Sequence, residues 1–418
     1  MEGKTLRPEN EEQLRAAVEW AVAEGATLDV AGQGSKRGLG RPVAADYRLE
    51  TSGITGVVLY EPEELVMTAH AGTPMAEVEA LLAQRAQRLA FEPADLGPLW
   101  GQEPGQGTLG GAFAAALAGP ARLRYGAARD HLLGFRGVGG GGQVFKSGGR
   151  VVKNVTGFDL SKLMAGSMGT LGIMTELSVK VLPRPEKTRT VLLLGCDDTA
   201  AVAAMSAAMR SPYDVIAAAH LPAAVAARSG VSYVAEAGAA VTALRLEGPG
   251  PSAEFRCGEL RRLLAAHGET EELHGRNSEA LWREVRGVAY FTGDDRQVWR
   301  LSVPPTNGAA AAGIGRRLGG EAFYDWAGGQ VWIAIDARPD AYHEAMRDAV
   351  AASGGHATLV RAADEVRAAV PVFQPQPAAL AALSERLRAQ MDPKAVLSPG
   401  RMTAPAGVPA GVPAEVEV

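Results

Sequence analysis

A glycine-dense stretch between residues 101 and 185 constrains this chain more than any other, above all its second half, GGRVVKNVTGFDLSKLMAGSMGTLGIMTELSVKVLPRP. Short apolar runs at 150–152, 171–174 and 177–182 read as strands. Between them stand Gly157, Gly166, Ser167, Gly169, Thr170 and Gly172, too many glycines for an uninterrupted strand or helix. Glycine at this density permits positive φ and lets backbone approach a ligand closely. A series of N–H groups unobstructed by Cβ atoms suits a phosphate-bearing cofactor. A tight strand connection with turn glycines accounts for the same residues, and the stretch alone does not choose between the two.

The remainder of the chain bounds the choice. Its 418 residues are enough for two or three domains, and 47% hydrophobic with 21% charged residues is the composition of a globular protein. A net charge of −5 argues against nucleic acid as the main partner. Cys196 and Cys257 belong to no CxxC-type motif, so neither a disulfide framework nor a structural zinc site is expected, and a reducing cytosol is the expected compartment. Two cysteines are too few for an iron–sulfur cluster, which ordinarily takes about four. No apolar signal core opens the sequence and no run of apolar residues is long enough to span a bilayer, so membrane contact is expected to be peripheral or through a partner.

Read in order, residues 8–25 make an amphipathic helix with a glycine stop, and 27–31 a strand running into Gly32-Gln33-Gly34-Ser35-Lys36. Helix, strand and glycine loop is the order of an α/β phosphate site, although the loop lacks GxGxxG spacing and an ordinary turn also fits. Strands are expected at 56–60, 65–71 and 88–91, and a helix over 74–88. Thr108-Leu109-Gly110-Gly111 leads into a helix over 112–117, whose free N-terminal N–H groups make a second candidate anion site. After Pro183-Arg184-Pro185, alternating strands and helices with fewer glycines indicate a separate α+β domain, including a hairpin from 231–235 and 240–247. A last helix is expected over 377–391. The alanine-, valine- and proline-rich end is expected to be disordered. The boundaries follow as 1–185, 186–365, 366–403 and 404–418.

Several blocks occur together and in one order: AGQGSKRG (31–38), LETSGITGVV (49–58), EELVMTAHAGT (63–73), GQGTLGG (105–111), YGAARDHLLG (125–134) and KNVTGFDLSKLMAGSMGTLGIMTE (153–176). In this the first 185 residues resemble the PCMH-type FAD-binding domain of the vanillyl-alcohol oxidase superfamily, with a return segment at DPKAVLSPGRM (392–402). The segment GPARLRYGAARDHLLG (119–134), VVKNVTGFDLSKLMAGS and the late GGHATLVR (354–361) are similar to the E-subunit family of bacterial glycolate oxidases. The resemblance implies an α+β fold in which a two-subdomain FAD-binding domain is followed by a smaller α+β cap. It implies an assembly with a larger FAD subunit and an iron–sulfur subunit, acting on a small 2-hydroxy acid.

It also implies roles for individual residues. Gly32, Gln33, Gly34, Ser35 and Lys36 would cradle the FAD pyrophosphate, with Thr108, Gly110 and Gly111 against the cofactor. Gly166, Ser167, Gly169, Thr170 and Gly172 would line the other side, with Ile173 near the adenine. Arg129 and Asp130 are candidates beside them or form a local ion pair. Lys153, Asn154 and Asp159 flank this cluster as ligands or as turn and cap residues. Relatives that hold flavin covalently use a histidine in the first glycine loop; Ser35 and Lys36 stand there instead, so FAD is expected to be non-covalent. Oxidation of a hydroxy acid needs a group to take the hydroxyl proton and a cation to hold the carboxylate. His131, His356 and Arg361 are the candidates. The paired-histidine, GDGN-containing metal motif of hydroxy-acid-oxidising relatives is missing, and no metal site is expected. Three readings stand: a FAD subunit supporting glycolate oxidation in a complex, a self-sufficient dehydrogenase for a 2-hydroxy acid such as D-lactate, and a scaffold with a decayed flavin site.

Overall fold

The first helix shows how local chemistry sets the elements. Helix α1 (Glu11–Glu24) starts where the Asn10 side chain accepts from Gln13 N, and it stops at Gly25, left-handed at φ 68°. Its buried stripe of Leu14, Val18 and Ala21 covers a small parallel sheet of β1 (Lys4–Leu6), β2 (Leu28–Ala31) and β3 (Tyr47–Glu50), ordered β1-β3-β2. The computed structural model describes residues 4–150 and 157–404. The expected strand at 150–152 falls largely outside these residues, as do Lys153, Asn154 and nearly all of the alanine-, valine- and proline-rich end.

A second, antiparallel sheet takes β4 (Val57–Glu61) and β5 (Val66–His70), then β7 (Leu132–Val138), β8 (Val144–Gly148) and β9 (Ile173–Lys180), in the order β4-β5-β9-β7-β8. β6 (Gln87–Arg88) pairs with β10 (Leu182–Pro183) beside it. Helix α2 (Met75–Gln84) and the short α3 (Leu109–Ala115) pack on this sheet through Val78, Leu82, Leu109 and Phe113.

A third sheet has eight antiparallel strands, ordered β14-β11-β13-β12-β16-β17-β15-β18. They are β11 (Lys187–Leu194), β12 (Ala217–Leu221), β13 (Val241–Gly248), β14 (Thr270–His274), β15 (Gln297–Ser302), β16 (Glu321–Asp325), β17 (Gln330–Ile335) and β18 (His356–Arg361). Alternation along each strand separates its two faces. On one face Val191, Leu244, Trp299 and Ile333 are covered by the helices Asp198–Met209, Gly250–Leu264, Gly308–Arg317 and His343–Ala351. The other face, with Leu192, Val298, Phe323 and Trp332, meets Leu39, Leu96, Leu99 and Leu117 of the N-terminal half.

Some elements differ from expectation for physical reasons. The runs at 171–174 and 177–182 fall mostly in one strand, β9, with Leu182 in β10. The run at 88–91 is strand only at Arg88. The expected 231–235/240–247 hairpin does not form: Ser232–Ala235 is a helical turn, and β13 pairs with β11 and with β12. Strand β7 lies at the heart of the second sheet although Gly134 and Gly137 resemble turn punctuation. A Cβ at Gly137 would meet Ile173 O at 2.6 Å, and one at Gly134 would meet Gly149 N at 2.5 Å. The glycines accommodate bulged, close strand pairing.

Polar contacts fasten the third sheet to the N-terminal half. Arg88 donates twice to Glu247, at 3.0 and 2.5 Å, and Arg245 reaches Glu92 at 2.8 Å. The neighbouring buried Asp325 makes no ion pair among the described residues, and the pull of Arg245 on it is offset by Glu92. Burial pushes its carboxyl up to about 7. The folded chain therefore keeps a proton on Asp325 that the unfolded chain releases near pH 4. Stability falls as pH rises from about 4 to 7 and is level above that window. Asp325→Asn is expected to be more stable than the parent at pH 8 by on the order of 2–4 kcal/mol and nearly equal to it at pH 4. Urea denaturation at both pH values measures this.

Candidate functional site

A cleft of about 750 Å³, including its open mouth, lies where three segments distant in sequence converge. Val30 to Arg37 form one wall. Thr108, Gly110, Gly111, Ala114 and Ala115 form a second, and Ser167 to Gly169 with Gly172 to Met174 a third; Arg401 closes the base.

The first wall continues from β2. Gly34 takes φ 83°, a left-handed turn that suits glycine. Among the described residues, the N–H groups of Gln33, Gly34, Ser35 and Lys36 have no intramolecular acceptor. Lys36 Nζ lies 3.4 Å from Ser35 Oγ, and burial lowers its pKa from the ordinary lysine value, opposed by Asp95. Below the loop, buried Asp29 lies between two guanidinium groups: Arg37 at 2.8 Å and Arg401 at 3.8 Å. Neither contact has hydrogen-bond alignment, and Arg37 Nε and Arg401 Nε are buried without acceptors. Arg401 also donates to Lys36 O at 3.2 Å, and burial lowers its pKa from the usual guanidinium value. Two guanidinium groups thus share one carboxylate, with the Lys36 ammonium beside them in the cleft lining. Arg37 and Arg401 were not singled out from the sequence, although the return segment that delivers Arg401 was.

The second wall corrects an expectation. The N-terminal N–H groups of α3 are not free: Leu109 N donates to Thr73 O, Gly110 N to Ala71 O and Gly111 N to the Thr108 hydroxyl that caps the helix. The glycines here serve close packing. A Cβ at Gly110 would stand 2.7 Å from Ala71 Cβ, and one at Gly32 would run into Thr108 Oγ1.

The third wall is strapped to the C-terminal end of α3, with Gly166 N on Phe113 O and Met168 N on Ala114 O. Ser167 Oγ is buried at the cleft without a partner among the described residues. Gly166 and Thr170 stand behind the lining; Thr170 donates to Ser167 O at 2.7 Å. Gly169, Gly172 and Ile173 line the cleft.

The other candidates are elsewhere. Arg129 and Asp130 do not pair with each other: Asp130 accepts from Ala127 N at 2.9 Å, and Lys162 donates to Arg129 O. Asp159 caps the helix Leu160–Met164. His131 is buried against Phe91, with ring nitrogens 2.9 Å from Tyr125 O and 3.4 Å from Lys180 O, and burial lowers its pKa. Arg361 spends its guanidinium on Arg296 O, Leu99 O, Phe291 O and the Asp294 carboxylate, which leaves no face for a ligand carboxylate. His356 stands exposed at the start of β18. Backbone N–H groups, two hydroxyls and a surplus of positive charge make the cleft suited to an extended, oxygen-rich anion.

Residues 4–148 match the family of the FAD binding domain. The chain is 34% identical over 392 residues to glycolate oxidase subunit GlcE of Escherichia coli K12, covering 94% of this chain and 97% of that protein. It is 40% identical over 116 residues to glycolate oxidase subunit GlcD of Bacillus subtilis 168, a match over 28% of this chain and 23% of that one. The solved structure of p-cresol methylhydroxylase with substrate bound superposes with a TM-score of 0.71 at 14% identity, over 97% of this chain and 89% of the other.

Gly32 and Thr108 are coupled by contact. Gly32→Ala is expected to destabilise the chain by about 1–3 kcal/mol, and Thr108→Ala by about 1 kcal/mol through loss of the helix cap. The double variant is expected to lose less than the sum, because Thr108→Ala removes the obstructing hydroxyl and methyl. Denaturation midpoints of the four proteins measure the coupling.

Proposed function

The chain belongs to the FAD-binding oxidoreductase family that contains glycolate oxidase subunit GlcE, and on that premise we propose that it is the FAD-binding subunit of a multi-subunit glycolate oxidase. Within that assembly it supports the oxidation of glycolate to glyoxylate, a loss of two electrons and two protons, and the electrons leave through a partner iron–sulfur subunit. Its fold is the α+β architecture of the PCMH-type flavoproteins, and its cofactor is FAD. We assign FAD binding to residues 1–185, a cap to 186–365 and a return segment to 366–403.

The observation that carries the reading is the cationic cleft. The free N–H groups of Gln33 to Lys36, the ammonium of Lys36 and the guanidinium groups of Arg37 and Arg401 match the charge and acceptor pattern of a diphosphate. The orphaned Ser167 hydroxyl supplies a further polar contact on the opposite wall. With Gly32 and Gly110 already filled by Thr108 and Ala71, the walls hold a fixed width. FAD, when bound, supplies the two-electron acceptor. The chain's own part is to bind it, hold it between the loop and α3, and keep water from the base of the cleft with Arg401.

Two buried cysteines support a separate electron carrier. Both thiols are free, and burial pushes Cys257 up to about 12, so neither is poised as a thiolate ligand. Among the described residues no helix is long and apolar enough to cross a membrane, which fits a cytoplasmic subunit that meets the membrane through its partners.

Two measurements test this reading. Lys36→Met and Arg401→Met are each expected to weaken FAD binding by about tenfold or more with the fold retained. Flavin content and circular dichroism read the two separately. Glycolate-dependent dye reduction is expected from the chain co-expressed with a larger flavin subunit and an iron–sulfur subunit, and is expected to vanish when this chain is omitted. A chain that takes up no FAD, or an assembly equally active without it, would overturn the assignment.

A further inference from the structure

The face of the eight-stranded sheet that meets the N-terminal half carries a guanidinium for which the described residues provide no anion. Arg300 on β15 stands between Trp332 of β17 and Thr358 of β18, and in the next row Ser302 stands between Gln330 and His356. Residues two apart on a strand share a face, so Arg300 and His356 project to the same side as Trp332. Arg122, from the segment that follows α3, stacks 4.2 Å above the Trp326 ring at the rim of this face.

Among the described residues Arg300 has neither an ion-pair partner nor a hydrogen-bond acceptor. Three other buried arginines each have a carboxylate: Arg361 as described above, Arg367 in Asp364 beside its bond to Gly40 O, and Arg245 in Glu92. Burial, reinforced by Arg122, holds Arg300 down to about 10. Desolvation of its packed side, then Arg300 and Arg122, lowers His356 from the ordinary imidazole value. Its ring is therefore neutral at pH 7 and able to accept a hydrogen bond. Enclosed by neighbours yet only partly covered, Arg300 remains reachable by a small solute. A guanidinium desolvated without a counter-charge is costly, and an incoming carboxylate offsets that cost through a two-pronged contact.

We infer that Arg300, with Arg122 and His356, forms a receptor for the carboxylate of a small 2-hydroxy acid. The choice of acid rests on the reading of this chain as a glycolate oxidase subunit, whereas the anion site rests on Arg300 itself. The site lies on the side toward the flavin cleft: Ala115 and Met168 line that cleft and pack against the same apolar cluster as Val298 and Trp332. A subunit that carries both sites holds the acid itself and does more than relay electrons. Arg361, the carboxylate-binding candidate from the sequence, instead anchors β18 on which His356 and Thr358 stand.

Calorimetric titration of the purified flavin-loaded chain with oxalate and with glycolate tests the assignment. Oxalate is expected to bind at millimolar concentration or below, more tightly than inorganic phosphate. Arg300→Met is expected to weaken oxalate binding about tenfold or more, and Arg300→Lys and Arg122→Met to weaken it less, at unchanged flavin content. An affinity in Arg300→Met equal to the parent's would overturn the site. So would a parent that binds neither acid, or one that prefers phosphate. Should Arg300→Met fail to fold, parental affinity in both Arg300→Lys and Arg122→Met overturns it equally. A parent that takes up no flavin yet still binds oxalate through Arg300 sinks the cofactor reading and leaves the anion site standing.

Discussion

The cleft depends on one buried carboxylate. Asp29, within β2, lies between Arg37 and Arg401, two guanidinium groups more than 360 positions apart in the chain. Without it, Arg37 and Arg401 would face each other uncompensated within a poorly solvated space. With it, the cluster keeps a positive surplus that the protein itself does not neutralise. A fully balanced cluster would have little affinity for an anion, and a fully unbalanced one would not stay folded. One acid between two guanidinium groups lies between these limits.

Delivering Arg401 is itself a folding problem, solved by backbone pairing. Residues 396–398 run alongside β2, with Leu28 N on Val396 O, Ser398 N on Leu28 O and the Ser398 hydroxyl accepting from Val30 N at 3.1 Å. Asp392, buried, turns the chain into that path by accepting from both Val396 N and Leu397 N. A side chain at Gly140 would collide with Asp392, so the turn after β7 is shaped to let the return segment pass. The return segment 392–401 is thereby built into the domain that contains β2, and the cleft is complete only once the chain has returned.

How much of this was legible follows from the range of the forces involved. The glycine stop of α1, the loop after β2 and the strand–helix alternation of the second half are local, and residues 8–36 and 297–361 disclose them. Strand β7 was hidden because its glycines serve packing against its neighbours, Gly137 on β9 and Gly134 at the end of β8, which only the partner strands explain. The apparent helix N-terminus at Thr108 looked like an anion site from sequence alone. Its donors are consumed by Thr73 O, Ala71 O and the Thr108 hydroxyl, and two of those acceptors lie about 40 residues upstream. Arg37, Arg401 and Arg300 were illegible for the same reason: an arginine acquires its meaning from the carboxylate it finds, or fails to find, in space. The only available signal was indirect, a PGR turn that had to return to the glycine loop.

The two halves of the molecule divide the labour according to stiffness. Loops with free N–H groups suit a long, flexible, oxygen-rich ligand, because each donor adjusts to a different oxygen. A small rigid acid needs fixed donors, and an antiparallel sheet provides them, since the register that sets Arg300 against Thr358 and Trp332 cannot shift by one residue without turning every side chain to the opposite face. That sheet is held to the cofactor half at separated points: Arg88 and Arg245 on the acids Glu247 and Glu92, Trp326 Nε1 on Gly119 O, and Trp100 Nε1 on Val360 O. Gly119 lies three residues before Arg122, so the indole that receives the Arg122 guanidinium on its face also pins the backbone that carries it. The same contacts that close the interface therefore fix the distance between the cleft and the basic face, the condition any transfer between two bound molecules requires.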